Sequence, residues 1–392
     1  MKRRQDGGHD LDFAILIQLQ TAMASPEKNI WGHVGLQNSD KTRCLEAVRK
    51  RYAGYQVEEF EHQGHCSFTI LLTPQRDDIK SHCSVLSEQY EARSGVETQL
   101  LIQIRPLRYA LDLDMALAAR RIHSHLASMV RVVDIDMQES LQAYEMNKLE
   151  GTPFSRLSLN GSLPTVDVQR KQETLITSLA TILAQSWPVD DSRKRRDSFL
   201  RPDSPPNSQH PLLSRCTGKV GSQLTQKLNK LAEELPDHWL RARAKLTLEK
   251  LHEIDDYPVV LNHGDLIPSN ILVNEETWEI TGLVDWAEAE WLPFGTCLYS
   301  LEYLLGSLQM VPHEKLAFVY YDNALLLRER FCTTLLVEAP ELGFRANQLQ
   351  VMRDTGVLLW HGYAWDEGAI DRVVNEADDG EELAKLRAFL SV

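Results

Sequence analysis

Residues 259–295, VVLNHGDLIPSNILVNEETWEITGLVDWAEAEWLPFG, constrain this chain more than any other stretch. Three short apolar runs, Val259–Leu261, Ile271–Val273 and Ile280–Val284, are broken by polar residues, with a turn signal at Asn274–Thr277 between the last two. Runs of this length bounded by turn residues predict strands. Each delivers polar groups to its end: His263, Asp265 and Asn270 around the first two, Asp285 after the third. A rigid scaffold aims acid, base and metal-binding groups in this way.

The spacing narrows the chemistry. Asn270 stands five residues after Asp265, and Asp285 twenty after it. In phosphoryl transfer, one Asp accepts or orients the proton of an acceptor hydroxyl, while an Asn and a second Asp hold Mg²⁺ against nucleotide phosphates. Protein kinases carry this set as H-R-D-x-x-x-x-N followed by D-F-G. Here residues 263–270 read H-G-D-x-x-x-x-N, and Asp285-Trp286 stands where D-F would. Either fragment alone is compatible with a loop that satisfies its own backbone. Both together, in order and each closing an apolar run, point to a site.

The segment resembles the catalytic core of the aminoglycoside phosphotransferase and choline kinase group, relatives of the protein kinases. Its continuation, Trp291-Leu292-Pro293-Phe294-Gly295, is most similar to the fungal branch. The resemblance implies an α+β, bilobal, protein-kinase-like fold. A small β-rich lobe over residues 1–150 would cover the nucleotide. A larger, mainly helical lobe over residues 151–392 would hold the catalytic and acceptor-binding groups, with an exposed insertion at 187–213. ATP and Mg²⁺ are the implied cofactors. Asp265 becomes the catalytic base, His263 supports its loop, Asn270 and Asp285 become metal ligands, and a small-molecule hydroxyl is the acceptor.

Composition fits a soluble globular protein. Hydrophobic residues make up 43% of the 392, enough for a core in each of two lobes. There is no apolar run long enough to span a membrane, and the basic start MKRRQDGGHD lacks a signal-peptide core, so the chain reads as cytoplasmic. The six cysteines show no C-x-x-C spacing, which argues against zinc and against a disulfide framework. A net charge of −14 argues against nucleic acid as a partner.

The first half carries weaker signals. Leu11–Met23 has helical apolar spacing, and Cys44–Tyr55 reads as a helix ended by Gly54. Tyr55–Thr73 reads as two strands about a turn at His62–His65. In the resemblance, that turn covers the nucleotide phosphates, with Gly64 allowing close approach and Ser67 supplying a hydroxyl; an ordinary hairpin is the alternative. The run 99–106, QLLIQIRP, is a strand that ends on Arg105 where the family would place a phosphate-gripping Lys. Arg binds phosphate as a fork rather than a point charge, so the replacement is not like for like. The helix expected next, about 112–126, offers no Glu to pair with it. Glu145, Met146 and Asn147 fall where the family's connection between lobes holds adenine by backbone groups.

Further along, Gln169–Ser186, Leu224–Leu235 and Leu240–Ile254 read as helices, as do Leu298–Leu308 and Leu316–Leu336. Glu288 and Glu290 are read as a solvated face, with acceptor recognition or a second ion as the alternative. Trp360, Tyr363 and Trp365 are either core or acceptor-pocket walls. Two rival functions stay open. One is a catalytically silent, pseudokinase-like binder, suggested by the missing Lys and Glu. The other is an enzyme of secondary-metabolite biosynthesis that phosphorylates a hydroxyl only to eliminate or cyclise it.

Overall fold

The computed structural model describes residues 37–64, 66–75, 99–157, 166–188, 210–311, 316–364, 366 and 370–392. Leu11–Met23, the 187–213 insertion beyond Pro188 as far as residue 209, His65 and Trp365 therefore lie outside the described residues. The chain forms two compact units, Met1–Ala110 with Arg131–Lys148, and Leu111–Val130 with Leu149–Val392.

The first unit is a sheet and a helix. Strands β1 (Tyr55–Glu59), β2 (Phe68–Pro74), β3 (Leu100–Pro106), β4 (Val130–Val133) and β5 (Leu141–Asn147) lie in the order β1-β2-β3-β5-β4. The β1/β2, β2/β3 and β3/β5 pairs are antiparallel. Alternate residues of a strand share a face. Ile70 and Leu72 of β2, with Leu100, Ile102 and Ile104 of β3, accordingly bury one face completely. Helix α1 (Asn38–Arg51) covers this core with Cys44 and Val48, four residues apart on one side. Asp40 caps it by accepting from the Gln37 backbone N–H at 2.8 Å, and takes a second bond from Gln138 Nε2 at 2.6 Å that ties the helix to the turn before β5.

The second unit is mainly helical. Asp112 caps α2 (Leu113–Ile122) by accepting from the N–H groups of Asp114 and Met115. The segment Leu111–Val130 belongs here and interrupts a simple 1–150 lobe. The reason is local: Leu126 C=O accepts from Leu283 N–H at 2.6 Å, and the His123 ring stacks on Trp286. After β6 (Thr152–Pro153), helices α3 (Val166–Ala184), α4 (Leu224–Glu234) and α5 (His238–His252) build the first layer of the core. Strands β7 (Val259–Asn262), β8 (Ile271–Val273), β9 (Ile280–Leu283) and β10 (Glu290–Pro293) follow. They form two small sheets, β10-β7 and β6-β8-β9. Among the described residues, no helix is long and apolar enough to cross a membrane.

The stretch after Gly295 departs from the helical expectation. Helix α6 covers only Tyr299–Leu304, and residues 306–309 and 317–320 pair as strands β11 and β12. Helix α7 begins at Ala324 and runs to Glu338. Short apolar runs satisfy helix and strand patterns alike, and Gly306 decides here. A Cβ at Gly306 would sit 2.5 Å from the Val319 carbonyl, so the two backbones meet only because the side chain is absent. Helices α8 (Ala346–His361) and α9 (Gly380–Leu390) complete the unit.

Candidate active site

Backbone pairing places the polar groups of the central stretch. β7 runs antiparallel to β10, with Asn262 opposite Glu290, so Gly264 meets Glu288 two residues on. Gly264 adopts φ +76°, and a Cβ there would lie 1.8 Å from the Glu288 carbonyl oxygen. That close approach explains H-G-D where protein kinases have H-R-D. In the next sheet Ile271 pairs with Leu283, and the Val284 N–H donates to the Asn270 carbonyl at 3.0 Å. Asn270 and Asp285 therefore share one end of the β8–β9 hairpin.

His263 fastens the two loops. Its Nε2 donates to the Val284 carbonyl at 2.9 Å, which leaves Nδ1 as the acceptor facing the Asp265 N–H at 3.3 Å. Burial pushes its pKa down to about 4, so the ring is a neutral brace and not a proton carrier near pH 7. Asn270 Nδ2 donates to the Asp265 backbone carbonyl at 2.8 Å and to its Oδ2 at 3.0 Å. With the amide nitrogen turned to Asp265, the Oδ1 atom remains the group that can bind a cation.

Asp285 takes a left-handed backbone, φ 61° and ψ 64°. Trp286 holds this turn. Its Nε1 donates to the Leu283 carbonyl at 2.9 Å, and its ring lies between His263, 4.4 Å away by centroids, and His123, at 5.4 Å. Asp265, Asp285 and Glu288 concentrate negative charge. Burial, then the charge of Asp285, push the Asp265 carboxyl up to about 7, against the lowering effect of the Asn270 hydrogen bond. Among the described residues no three His, Cys, Asp or Glu side chains form a metal cage. One carboxylate, Asp285, and the Asn270 amide oxygen instead suit Mg²⁺, which keeps waters and shares its coordination with substrate phosphates.

Asp265 also borders a pocket of about 270 Å³. Trp360 and Tyr363 line it, so these two are pocket walls as well as core, Tyr363 being 3% exposed. Tyr299 joins pocket to loop: its hydroxyl accepts from the Leu266 N–H at 3.0 Å, and its ring stacks on Trp360 at 5.1 Å. Sequence reading passed over Tyr299, because it lies 33 residues from Leu266 and in no motif. Glu290 corrects an expectation. It is not on a solvated face but 8% exposed, its carboxylate accepting from the backbone N–H groups of Val220 and Gly221. Burial drives its pKa up while those bonds draw it down. Glu288 is exposed as expected, 3.6 Å from Lys219.

The remaining predicted residues lie in the first unit. Arg105 sits in the inner strand β3 and is 4% exposed, not on a solvated edge; its Nε donates to Gln103 Oε1 at 3.2 Å. Extending the β2/β3 register by one residue sets Ser67, also buried, opposite Arg105. Gly64 lies in the β1–β2 turn. That turn is laced by Gln63, whose side chain donates to the carbonyls of Phe60 and Thr69 and accepts from the Thr69 N–H. Glu145, Met146 and Asn147 fall inside β5, paired with Ile102, Leu101 and Leu100. The Glu145 side chain is wholly buried and engaged by a two-pronged Arg131 and by the Tyr52 hydroxyl at 2.6 Å.

Comparison with known proteins now has a geometry to meet. No curated protein matches the chain in sequence. Among solved structures, it is similar to the GDP complex of wild-type aminoglycoside 2'-phosphotransferase-IIIa, at 13% identity and TM-score 0.51, over 90% of this chain and 99% of the other. A macrolide 2'-phosphotransferase type I gives 15%, 0.47, 90% and 97% in the same order. An ethanolamine kinase of Plasmodium vivax gives 12%, 0.47, 86% and 82%. The first of these likenesses shows the fold, which is kinase-like with a β-sheet region before a helical one. The model of the phosphotransferase enzyme family matches residues 84–296, more than half of the chain, and the protein belongs to that family.

Proposed function

We propose that the protein transfers a phosphoryl group from a Mg²⁺-bound nucleoside triphosphate, ATP in the first instance, to a hydroxyl of a small molecule. The observation that carries this reading is the join between Asp265 and Asn270, 3.0 Å apart, at a hairpin end that also bears Asp285. Asn270 Oδ1 and the Asp285 carboxylate are the proposed metal ligands. Arg105, Ser67, the turn at Gly64 and the backbone of Glu145–Asn147 are the proposed nucleotide contacts. Bound Mg²⁺-nucleotide would supply the phosphoryl group and neutralise charge as it moves.

The chain's own work is positioning and one proton transfer. Asp265 accepts the acceptor hydroxyl's proton as its oxygen bonds to the terminal phosphorus and the bridge to the leaving nucleoside diphosphate breaks. Asn270 Nδ2 fixes the Asp265 carboxylate, and His263 keeps its loop against Val284.

The test is ADP release from ATP, and GDP release from GTP because one structural neighbour was solved with GDP. Asp265→Asn is expected to lower turnover roughly 10³-fold while nucleotide still raises the melting temperature in the presence of Mg²⁺. Normal turnover in Asp265→Asn would end this assignment. A second reading, a silent nucleotide binder, is favoured by Arg105 standing where the family places a phosphate-gripping Lys. For that reading, wild type and Asp265→Asn both shift with Mg²⁺-nucleotide and neither releases nucleoside diphosphate.

A further inference from the structure

Helix α7 carries more apolar surface than it buries. Ala324, Leu327, Phe331 and Leu335 enter the core, and this side rests on α3. The outer side bears Leu325, Leu326, Leu336 and Val337, each between 41% and 71% exposed. Apolar side chains standing singly on a surface need no explanation, but a patch of them marks a contact.

The order of residues on that side says what it contacts. Residues three or four apart share one side of a helix. Leu325, Glu329, Cys332 and Leu336 therefore form one exposed track, and Leu326, Arg330, Thr333 and Val337 form the next. Both tracks are apolar at each end and polar in the middle. Leu325 and Val337 lie equally far from Phe331, as do Leu326 and Leu336. A twofold contact needs such a self-complementary patch, in which residue i meets j and j meets i. Turned end for end about Phe331, the helix sets Leu325 beside the partner's Leu336 and Leu326 beside the partner's Val337. The polar middles match as well. Glu329 has no ion pair or hydrogen bond among the described residues, while Arg330 spends one guanidinium nitrogen on Glu173 of α3 at 3.0 Å and keeps further donors. Glu329 of each copy can thus meet the partner's Arg330.

We propose that the protein associates with a second copy of itself through α7, the two helices antiparallel about a twofold axis near Phe331. Lipid suits this face less well. Helices that lie on a membrane set Lys and Arg along their polar side, whereas α7 has Glu329 next to Arg330 and no Lys. The pairing does not depend on the phosphotransferase reading.

Sedimentation equilibrium of the full chain, from about 2 to 100 µM, tests the proposal. One helix pair makes a small interface, so a dimer with a dissociation constant on the order of 10 µM is expected. Leu326→Glu combined with Leu336→Glu, both at exposed positions, should weaken it at least about tenfold while the circular dichroism spectrum stays that of wild type. Cys332 is exposed and falls near the axis, on the same flank in both copies. Bismaleimidoethane is therefore expected to join two wild-type chains, and Cys332→Ser to abolish the covalent dimer. A chain that stays monomeric at about 100 µM overturns the proposal, and flotation of that monomer with phosphatidylcholine vesicles would give the face to lipid. A dimer that survives both glutamates overturns it too, because another surface then holds the copies together. A dimer that the glutamates dissolve but that is not joined through Cys332 overturns the antiparallel arrangement.

Discussion

A single hydrogen atom governs the approach to Asp265. Gly264 is the only residue type that fits there, since its φ is +76° and any Cβ would penetrate the Glu288 carbonyl. Gly264→Ala must push β7 and the loop before β10 apart, and Asp265 sits next in line. The expected outcome is a stability loss of about 2 kcal/mol or more, with turnover reduced further than the fraction unfolded explains. Urea unfolding beside ADP-release kinetics measures both. Unchanged turnover in a fully folded Gly264→Ala protein would show that loop position is not what Gly264 protects. The same scale shows why some of the site could be read without coordinates. His263, Asp265, Asn270 and Asp285 act within one short stretch, so strand periodicity and spacing expose them. Glu290 could not be read, because its partners Val220 and Gly221 come from 70 and 69 residues away and offer only backbone N–H groups. Tyr299 was hidden for a like reason: what it does depends on a contact, not on its neighbours in sequence.

Elements of the helical unit are tied together by a buried ionic network. Glu302 on α6 is 1% exposed and receives Arg353 of α8 at 2.8 Å, Arg328 of α7 at 2.6 Å and the Tyr320 hydroxyl of β12 at 2.8 Å. Arg353 also bonds Asp354 at 3.0 Å and the Phe389 carbonyl of α9 at 2.6 Å. Its pKa rises because Glu302 and Asp354 outweigh the cost of burial. Such a cluster adds modest net stability but is expensive to break, since the surviving charges stay buried. Glu302→Ala is expected to cost about 3–5 kcal/mol, read as a lower urea midpoint. Glu302→Gln, which keeps an acceptor, should cost less. Equal loss in both would mean that the charge, which both variants remove, holds the four elements, and that side-chain volume and an acceptor oxygen add nothing. None of this network was legible from periodicity. The misreading of residues 298–308 as one helix has the same origin, because the run is apolar enough for either element and only the Gly306–Val319 contact selects the strand. The longer segments were legible: 166–184, 224–234 and 238–252 bury a helical stripe over several turns.

At the scale of the whole molecule, proton binding sets the acid limit. His123 and His263, both buried, have their pKa values pushed down to about 4 by desolvation, and burial lowers His361 well below its usual range. Below about pH 6.5 the unfolded chain binds protons that these folded rings refuse, so stability falls as pH drops from 6.5 through 4. Asp265 works the other way. Its folded carboxyl titrates at about 7 instead of 3.8, so its contribution is full below 3.8 and is lost as pH rises through 7. One pKa unit corresponds to about 1.4 kcal/mol, so His123 and His263 each oppose folding at pH 4 by on the order of 3 kcal/mol, and Asp265 offsets roughly one of them. The melting temperature is therefore expected to peak between about pH 6.5 and 7.5 and to fall toward pH 4.5. Asp265→Asn removes the offset. In thermal melts it should gain stability at pH 8, where the wild-type carboxylate is charged and buried, and should lose it more steeply on acidification. A variant curve parallel to wild type across that range would show that Asp265 is charged at neutral pH and that the crowding of Asp285 and Glu288 around it is too weak to hold a proton.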